Sequence, residues 1–158
     1  MTKERKQEFT LRISQANKTE MIVILYDMLE VYLNEAKEAY LEEQGADFSQ
    51  AIIKARGCIR ELIASLNYEI ELARILLKLY LYCSKELATA QVRNEVTHLD
   101  NVMTVINKLQ DTYRSASKMD NSAPVMSNTQ AVYAGLTYGK NTIHENIAIQ
   151  DGNRGYLI

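Results

Sequence analysis

Glu95-Val96-Thr97-His98 has the spacing at which a helix brings a carboxylate and an imidazole to one face. Helical proteins use such pairs to hold two iron ions, with one E-x-x-H from each of two helices and a glutamate from each of two more. Here it is the only such pair. The other histidine, His144, has Asn141 three residues before it, so a second pair cannot be formed. Glu95 is expected in the first turn of a helix, where the helix dipole favours an acid, and His98 is expected to be partly exposed. No metal and no cofactor are expected.

Nucleophilic chemistry finds no better footing. Cys58 and Cys83 have neither C-x-x-C spacing nor a histidine near them in a helical frame. Both fall on apolar faces, where a thiol acts as a small hydrophobe. There is no G-x-S-x-G elbow, and the glycines after residue 134 follow no strand and open no helix. The carboxylates Glu30, Glu35, Glu38, Glu42 and Glu43 read as a solvated acidic face. An enzyme is not expected.

The elements that carry these residues are helices. A chain of 158 residues with one proline and six glycines suits one domain built from long uninterrupted segments. A net charge of −2 gives no general attraction to nucleic acid. Residues 1–16, with Lys3, Arg5, Lys6 and Arg12 set against Glu4 and Glu8, are too short and mixed for a phosphate-binding stripe and read as a solvated arm. The start is charged rather than apolar, so no signal peptide is expected. The most apolar window, Met21 to Leu33, is interrupted by Asp27 and Glu30 and is too short to insert in a membrane. These features predict a cytoplasmic protein.

Periodicity and caps predict four helices over residues 17–118. Asn17-Lys18-Thr19-Glu20 has the pattern of a capping box, followed by Met21, Leu25, Met28, Leu29, Tyr32, Ala36 and Tyr40 at helical spacing. Gly45 is expected to end this first helix in the left-handed conformation. Asp47 is expected to cap the second, whose apolar positions Phe48, Ile52, Ala55, Ile59, Leu62 and Leu66 alternate steps of four and three. The third carries Ala73, Leu76, Tyr80, Cys83, Leu87 and Ala90, widened by Leu72, Ile75 and Leu79. Asn94 is expected to cap the fourth, with Val96, Leu99, Val102, Met103, Ile106, Leu109 and Tyr113. Short links make consecutive helices antiparallel, so the expected fold is an all-α up-down-up-down four-helix bundle. Residues 119–158 change character, from the breaker Asp120-Asn121-Ser122-Ala123-Pro124 to a tail with ten large apolar residues. The tail either extends freely or docks, on this chain or a partner, with Tyr133, Leu136 and Tyr138 as the self-docking candidates.

The apolar side chains exceed what a bundle requires. A bundle helix buries about three positions in seven, yet Ile22, Val23, Val31, Leu33, Leu77, Leu81 and Tyr82 fall outside that stripe. They serve either a tight core or grooves that receive helices from a partner. The candidate partner-binding positions are Ile52 and Ile59 on the second helix, Leu77, Leu81 and Tyr82 on the third, and Val102, Ile106 and Leu109 on the fourth.

Gln15 to Met21 running into Ile24-Leu25-Tyr26-Asp27, then Lys54-Ala55, Glu61-Leu62 and Leu66-Asn67, then Leu79-Tyr80-Leu81-Tyr82-Cys83, come in an order that resembles the motifs of the FliS family of flagellin export chaperones. Gln15-Ala16-Asn17-Lys18-Thr19-Glu20-Met21 running into Ile24-Leu25-Tyr26-Asp27 is similar to the family's T-A-S-P-x-E-L start and M-L-Y-D. Lys54-Ala55, Cys58-Ile59, Glu61-Leu62 and Leu66-Asn67 resemble K-A-x-x-I-I-x-E-L…L-N. Glu71-Leu72-Ala73 and Leu79-Tyr80-Leu81-Tyr82-Cys83 match E-I-A…L-Y-D-Y-M, and Lys85-Glu86-Leu87, Ala90-Gln91 and Asn94-Glu95 follow as R-R-L-x-x-A-N-x-x-N-D does. Leu109-Gln110-Asp111-Thr112-Tyr113 resembles the closing L-R-x-A-W. The resemblance spans roughly residues 13–118. It implies one-to-one binding of the helix-forming carboxy-terminal segment of flagellin, protection from polymerisation, and delivery to the flagellar export gate. The chain departs from the family where Met28 and Leu29 replace small residues, in an arm without tyrosine, and in a longer tail. A helical regulatory adaptor for another protein is the alternative, and the sequence leaves open whether the free protein dimerises.

Overall fold

The computed structural model describes residues 1–126, and all its regular structure is helical. Five helices follow one another: α1 (Lys3–Gln15), α2 (Lys18–Leu41), α3 (Gly45–Ala64), α4 (Glu71–Arg93) and α5 (Thr97–Ser117). The additional helix, α1, corrects the expectation of a solvated arm. Thr2 caps it by accepting the Arg5 amide at 3.3 Å, and Phe9, Ile13 and Ala16 form an apolar stripe on one side.

The start of α2 follows the sequence expectation. Asn17 accepts the Glu20 amide at 2.8 Å, and the Asn17 amide donates back to the Glu20 carboxylate at 2.9 Å. Two of the orphan amides of the helix are satisfied in this way.

Three other boundaries differ from it. At the end of α2 the left-handed residue is Glu43 (φ 56°), not Gly45. The Gln44 amide then reaches Ala39 O at 2.8 Å and closes a free carbonyl, leaving Gly45 to open α3. Asp47 thus lies in the first turn of α3, where its charge suits the helix dipole, and does not cap it. Asn94 ends α4 rather than starting α5. It adopts the left-handed conformation (φ 54°, ψ 52°) that asparagine tolerates, and the Glu95 amide reaches Ala90 O at 3.2 Å.

Helix α2 packs on α3 and α5, and α4 packs on the same two helices, so these four enclose one core. Leu29 and Leu33 from α2 meet Ile52, Ile59 and Leu62 from α3, Leu87 from α4, and Leu99, Val102 and Ile106 from α5. Each fully buried side chain of this size contributes about 1.5–3 kcal/mol. Across the middle, the Tyr26 and Tyr80 hydroxyls meet at 2.6 Å and satisfy each other's polar atoms inside the core.

Helix α1 packs on α2 alone. It builds a second, smaller cluster from Phe9, Ala16 and Ile24, flanked by Ile13, Met21, Met28 and Val31. After α5 the chain returns to the start of α2. Thr19 donates its hydroxyl to the Asp120 carboxylate at 2.5 Å, Asn17 donates to the Asp120 carbonyl, and Val125 donates its amide to Ala16 O at 2.9 Å. Among the described residues no helix is long and apolar enough to cross a membrane.

Candidate functional site

Among the described residues, the clusters around His98 and Asp27 hold helices together. Glu95 lies before α5 rather than in its first turn, which corrects its expected place. Its carboxylate takes one ring nitrogen of His98 at 3.2 Å, and Glu86 of α4 takes the other at 3.0 Å. Asn101 donates to the same Glu86 oxygen at 2.7 Å. The hydrogen bond from Asn101, followed by that from His98, holds the Glu86 carboxyl below its usual range. This cluster ties the end of α4 to the start of α5. Among the described residues no three His, Cys, Asp or Glu side chains converge as metal ligands.

Cys58 and Cys83 are buried, and burial pushes both thiols up to about 12. Thiols held that high are not nucleophiles at neutral pH. Burial likewise raises Tyr26 above the ordinary tyrosine range and pushes Tyr80 up to about 12, so both stay neutral.

A polar hub fastens α1 in place. Asp27 accepts Arg12 of α1 at 2.5 Å and, through its other oxygen, Gln110 at 2.8 Å and Arg114 at 2.9 Å from α5. Burial alone would raise this carboxyl, but the hydrogen bonds from Arg12, Arg114 and Gln110 outweigh it and hold it below the usual range.

What remains for binding is the outer surface. Of the candidate positions, Ile52, Ile59, Val102 and Ile106 are 0 % exposed. They are corrected to core residues, lying on the seam between α3, α5 and their neighbours. Leu109 is half-buried against the same core, and Leu77 is also half-buried. Leu81 (54 %) and Tyr82 (43 %) face outward. Tyr133, Leu136 and Tyr138 lie outside the described residues.

Two residues expected to widen the core, Leu72 (54 %) and Ile75 (55 %), are exposed as well. Positions 72, 75, 79 and 82 repeat at steps of three, four and three, which puts them on one flank of α4. The next position on that flank is Glu86, whose bonds to His98 and Asn101 show that it looks towards α5. Leu77, Leu81 and Ser84 form the opposite flank, and Ser84 shares a cleft with Ile53, Arg56 and Arg60 of α3. The strip at 72, 75, 79 and 82 was legible as a second periodic face offset from the first. Along the sequence alone the two faces run together as one wide stripe.

The outer surface of α2 is organised differently. Val23 and Leu33 are buried, and Met21, Ile24, Met28 and Val31 lie under or beside α1. The surplus on α2 is therefore covered by this chain, while that on α4 is open among the described residues.

The open apolar surface of α4 agrees with the result of comparing the chain with known families. The family model of the flagellar protein FliS matches residues 1–120. The chain belongs to the FliS family. That family is one of flagellar export chaperones, so the role is a flagellar chaperone's and the partner a flagellar protein. The match takes in α1, which the sequence resemblance left out, and ends where Asp120 bonds back to α2. No curated protein matches the chain.

Proposed function

We propose that this FliS-family chain binds the helix-forming carboxy-terminal segment of flagellin along the outer face of α4, on its flanks towards α3 and α5. Bound there, flagellin is kept from polymerising and is handed to a component of the flagellar export gate in the cytoplasm. The observation that carries the reading is the open strip Leu72, Ile75 and Tyr82, with Leu81 exposed on the opposite flank, on a helix whose inner face is already filled. An amphipathic client helix buries its own apolar face on such a strip, and tyrosine adds contact area with a polar tip.

The framework for this is an antiparallel up-down-up-down arrangement of α2 to α5. It is supported by Asp27 pairing with Gln110 while Lys37 pairs with Asp100, so that residue numbers run oppositely along α2 and α5. Residues 17–118 then form the client-binding unit, with α1 as its cover and 119–158 as an extension.

Titration calorimetry with the last ~40 residues of the cognate flagellin, about 60 Å if fully helical, tests the reading. One-to-one binding at micromolar protein or tighter is expected, with a negative heat-capacity change from buried apolar area. No heat and no complex at that concentration would refute it.

A further inference from the structure

The two flanks of α4 differ in charge. On the flank towards α3, Ile53, Arg56 and Arg60 of α3 line a cleft with Ser84 of α4. Leu77 and Leu81 precede Ser84 in the same row, at steps of four and three. Ile53 (46 %) and Leu81 are exposed there. At one end the Gln91 amide donates to the Ser49 hydroxyl at 2.7 Å and ties the two helices together.

No carboxylate of α3 or α4 lies beside this groove. Lys54 sits over the Tyr32 ring of α2 at 5.8 Å, and Glu61 follows two turns later on that same side of α3. Glu86 is bonded to His98 and Asn101 on the far flank of α4. Asp47 and Glu71 open their helices, about 14 Å along the axis from Arg56 and about 20 Å from Ser84. Both separations exceed the screening length of about 8 Å at physiological salt. Arg56, Arg60 and the neighbouring Lys78 make no ion pair among the described residues. The groove is therefore basic and apolar in a chain whose net charge is −2.

We propose that this groove docks an acidic amphipathic helix of a partner protein, whose apolar stripe lies on Ile53, Leu77 and Leu81 and whose carboxylates meet Arg56 and Arg60. Charge complementarity selects this occupant. Two arginines four residues apart repel each other by a few tenths of a kcal/mol, and a carboxylate between them reverses the sign. The guanidinium fork takes a carboxylate through two parallel bonds. A neutral helix would cover Leu81 but desolvate unpaired cations. A phosphate backbone would pair the arginines but leave Ile53 and Leu81 in water.

Gly57 fits the same occupant. It stands one turn after Ile53 and one turn before Arg60. The nearest contact of a Cβ there would be Arg60 Nη2 at 3.9 Å, so internal packing does not call for glycine. Glycine inside a helix costs about 0.5–1 kcal/mol relative to alanine, and it lets another backbone approach closely. The inference goes beyond the flagellin reading, which is carried by Leu72, Ile75 and Tyr82 on the other flank, and the two are tested with different probes.

The probe is a synthetic helix of about 18 residues, some 27 Å long, with leucines at helical spacing flanked by glutamates. Its twin has glutamine at every glutamate. In solution NMR of the full chain with labelled methyl groups, the acidic peptide should move the Ile53, Leu77 and Leu81 resonances and leave Leu72 and Ile75 in place. The glutamine twin should bind about tenfold more weakly, a difference that shrinks as salt is raised. Arg56→Gln with Arg60→Gln should abolish the preference without changing the melting temperature, while Leu81→Ser should weaken both peptides alike. Equal affinity of the two peptides for the native chain would overturn the inference, as would a preference that survives the paired substitution. So would an absence of shifts at Ile53 and Leu81. Shifts there on concentrating the chain alone would give the groove to a second copy, and displacement of the peptide by a DNA duplex would give it to phosphate; either result overturns the inference.

Discussion

The outer faces of α2 and α4 pose the same problem and meet it differently. Both helices carry more large apolar residues than one core can take. On α2 the excess is covered by α1, with Phe9 at 5 % exposure against Ile24 and with Arg12 bonded to Asp27. On α4, Leu72, Ile75, Leu81 and Tyr82 remain open among the described residues. The difference separates an apolar face that serves stability from one available for recognition. Surplus hydrophobicity alone does not say which it is; a neighbouring element does.

The sharpest way to break this comparison is a matched pair of truncations. Phe9→Ala should cost about 3 kcal/mol, because it empties a packed site, and lower the thermal midpoint by roughly 6–12 °C for a chain of this size. Ile75→Ala, at an exposed position, should stay within about 0.5 kcal/mol. Equal losses in calorimetric melting would mean that the two faces are not different in kind.

A smaller effect concerns binding. Tyr82→Ala should weaken association with the flagellin segment about tenfold, or ~1.4 kcal/mol, with an unchanged melting temperature. If affinity survives while Leu72→Ala and Ile75→Ala also leave it intact, the client uses another surface.

The smallest expected effect sharpens how α1 is held. Asp27→Asn keeps the shape and removes the charge opposite Arg12 and Arg114, and should loosen α1 by about 1 kcal/mol. The readout is faster amide exchange in α1 than in α3. The same contact predicts a pH dependence. The folded-state pKa of Asp27 is depressed, so its contribution is fully present above the unfolded value of about 3.9 and is lost as pH falls through the lower folded value. Amide protection of α1 should therefore drop at acid pH in the native protein and much less in Asp27→Asn. Identical acid profiles would dismiss Asp27 as the fastener.

The paired histidine and cysteines show how far spacing alone can be read. Glu95-x-x-His98 does bring its two side chains together, but Glu86 supplies the second partner from a different helix and turns the motif into a clamp. The apolar faces that carry Cys58 and Cys83 predict small hydrophobes, and both cysteines are buried there. Asn94 shows the opposite case. Its type suits both a helix start and a left-handed helix end, and the link between α4 and α5 uses it as the latter.

By itself the sequence determined that the chain is helical, where α2 begins, and which residues of α3 to α5 share an inner face, because caps and periodicity are local properties; on α2 it set Leu33 outside the stripe, and the structure buries Leu33 in the core while leaving Tyr40 exposed. It also held the ordered motifs that resemble the FliS family, to which the chain belongs. Only the tertiary structure decided which apolar face is covered and which is open. A stripe such as Phe9, Ile13 and Ala16 is too short to form a stable helix alone and gains its stability on α2, while Leu72 and Ile75 find no such neighbour among the described residues. Burial is a property of pairs of elements, and periodicity describes one element at a time.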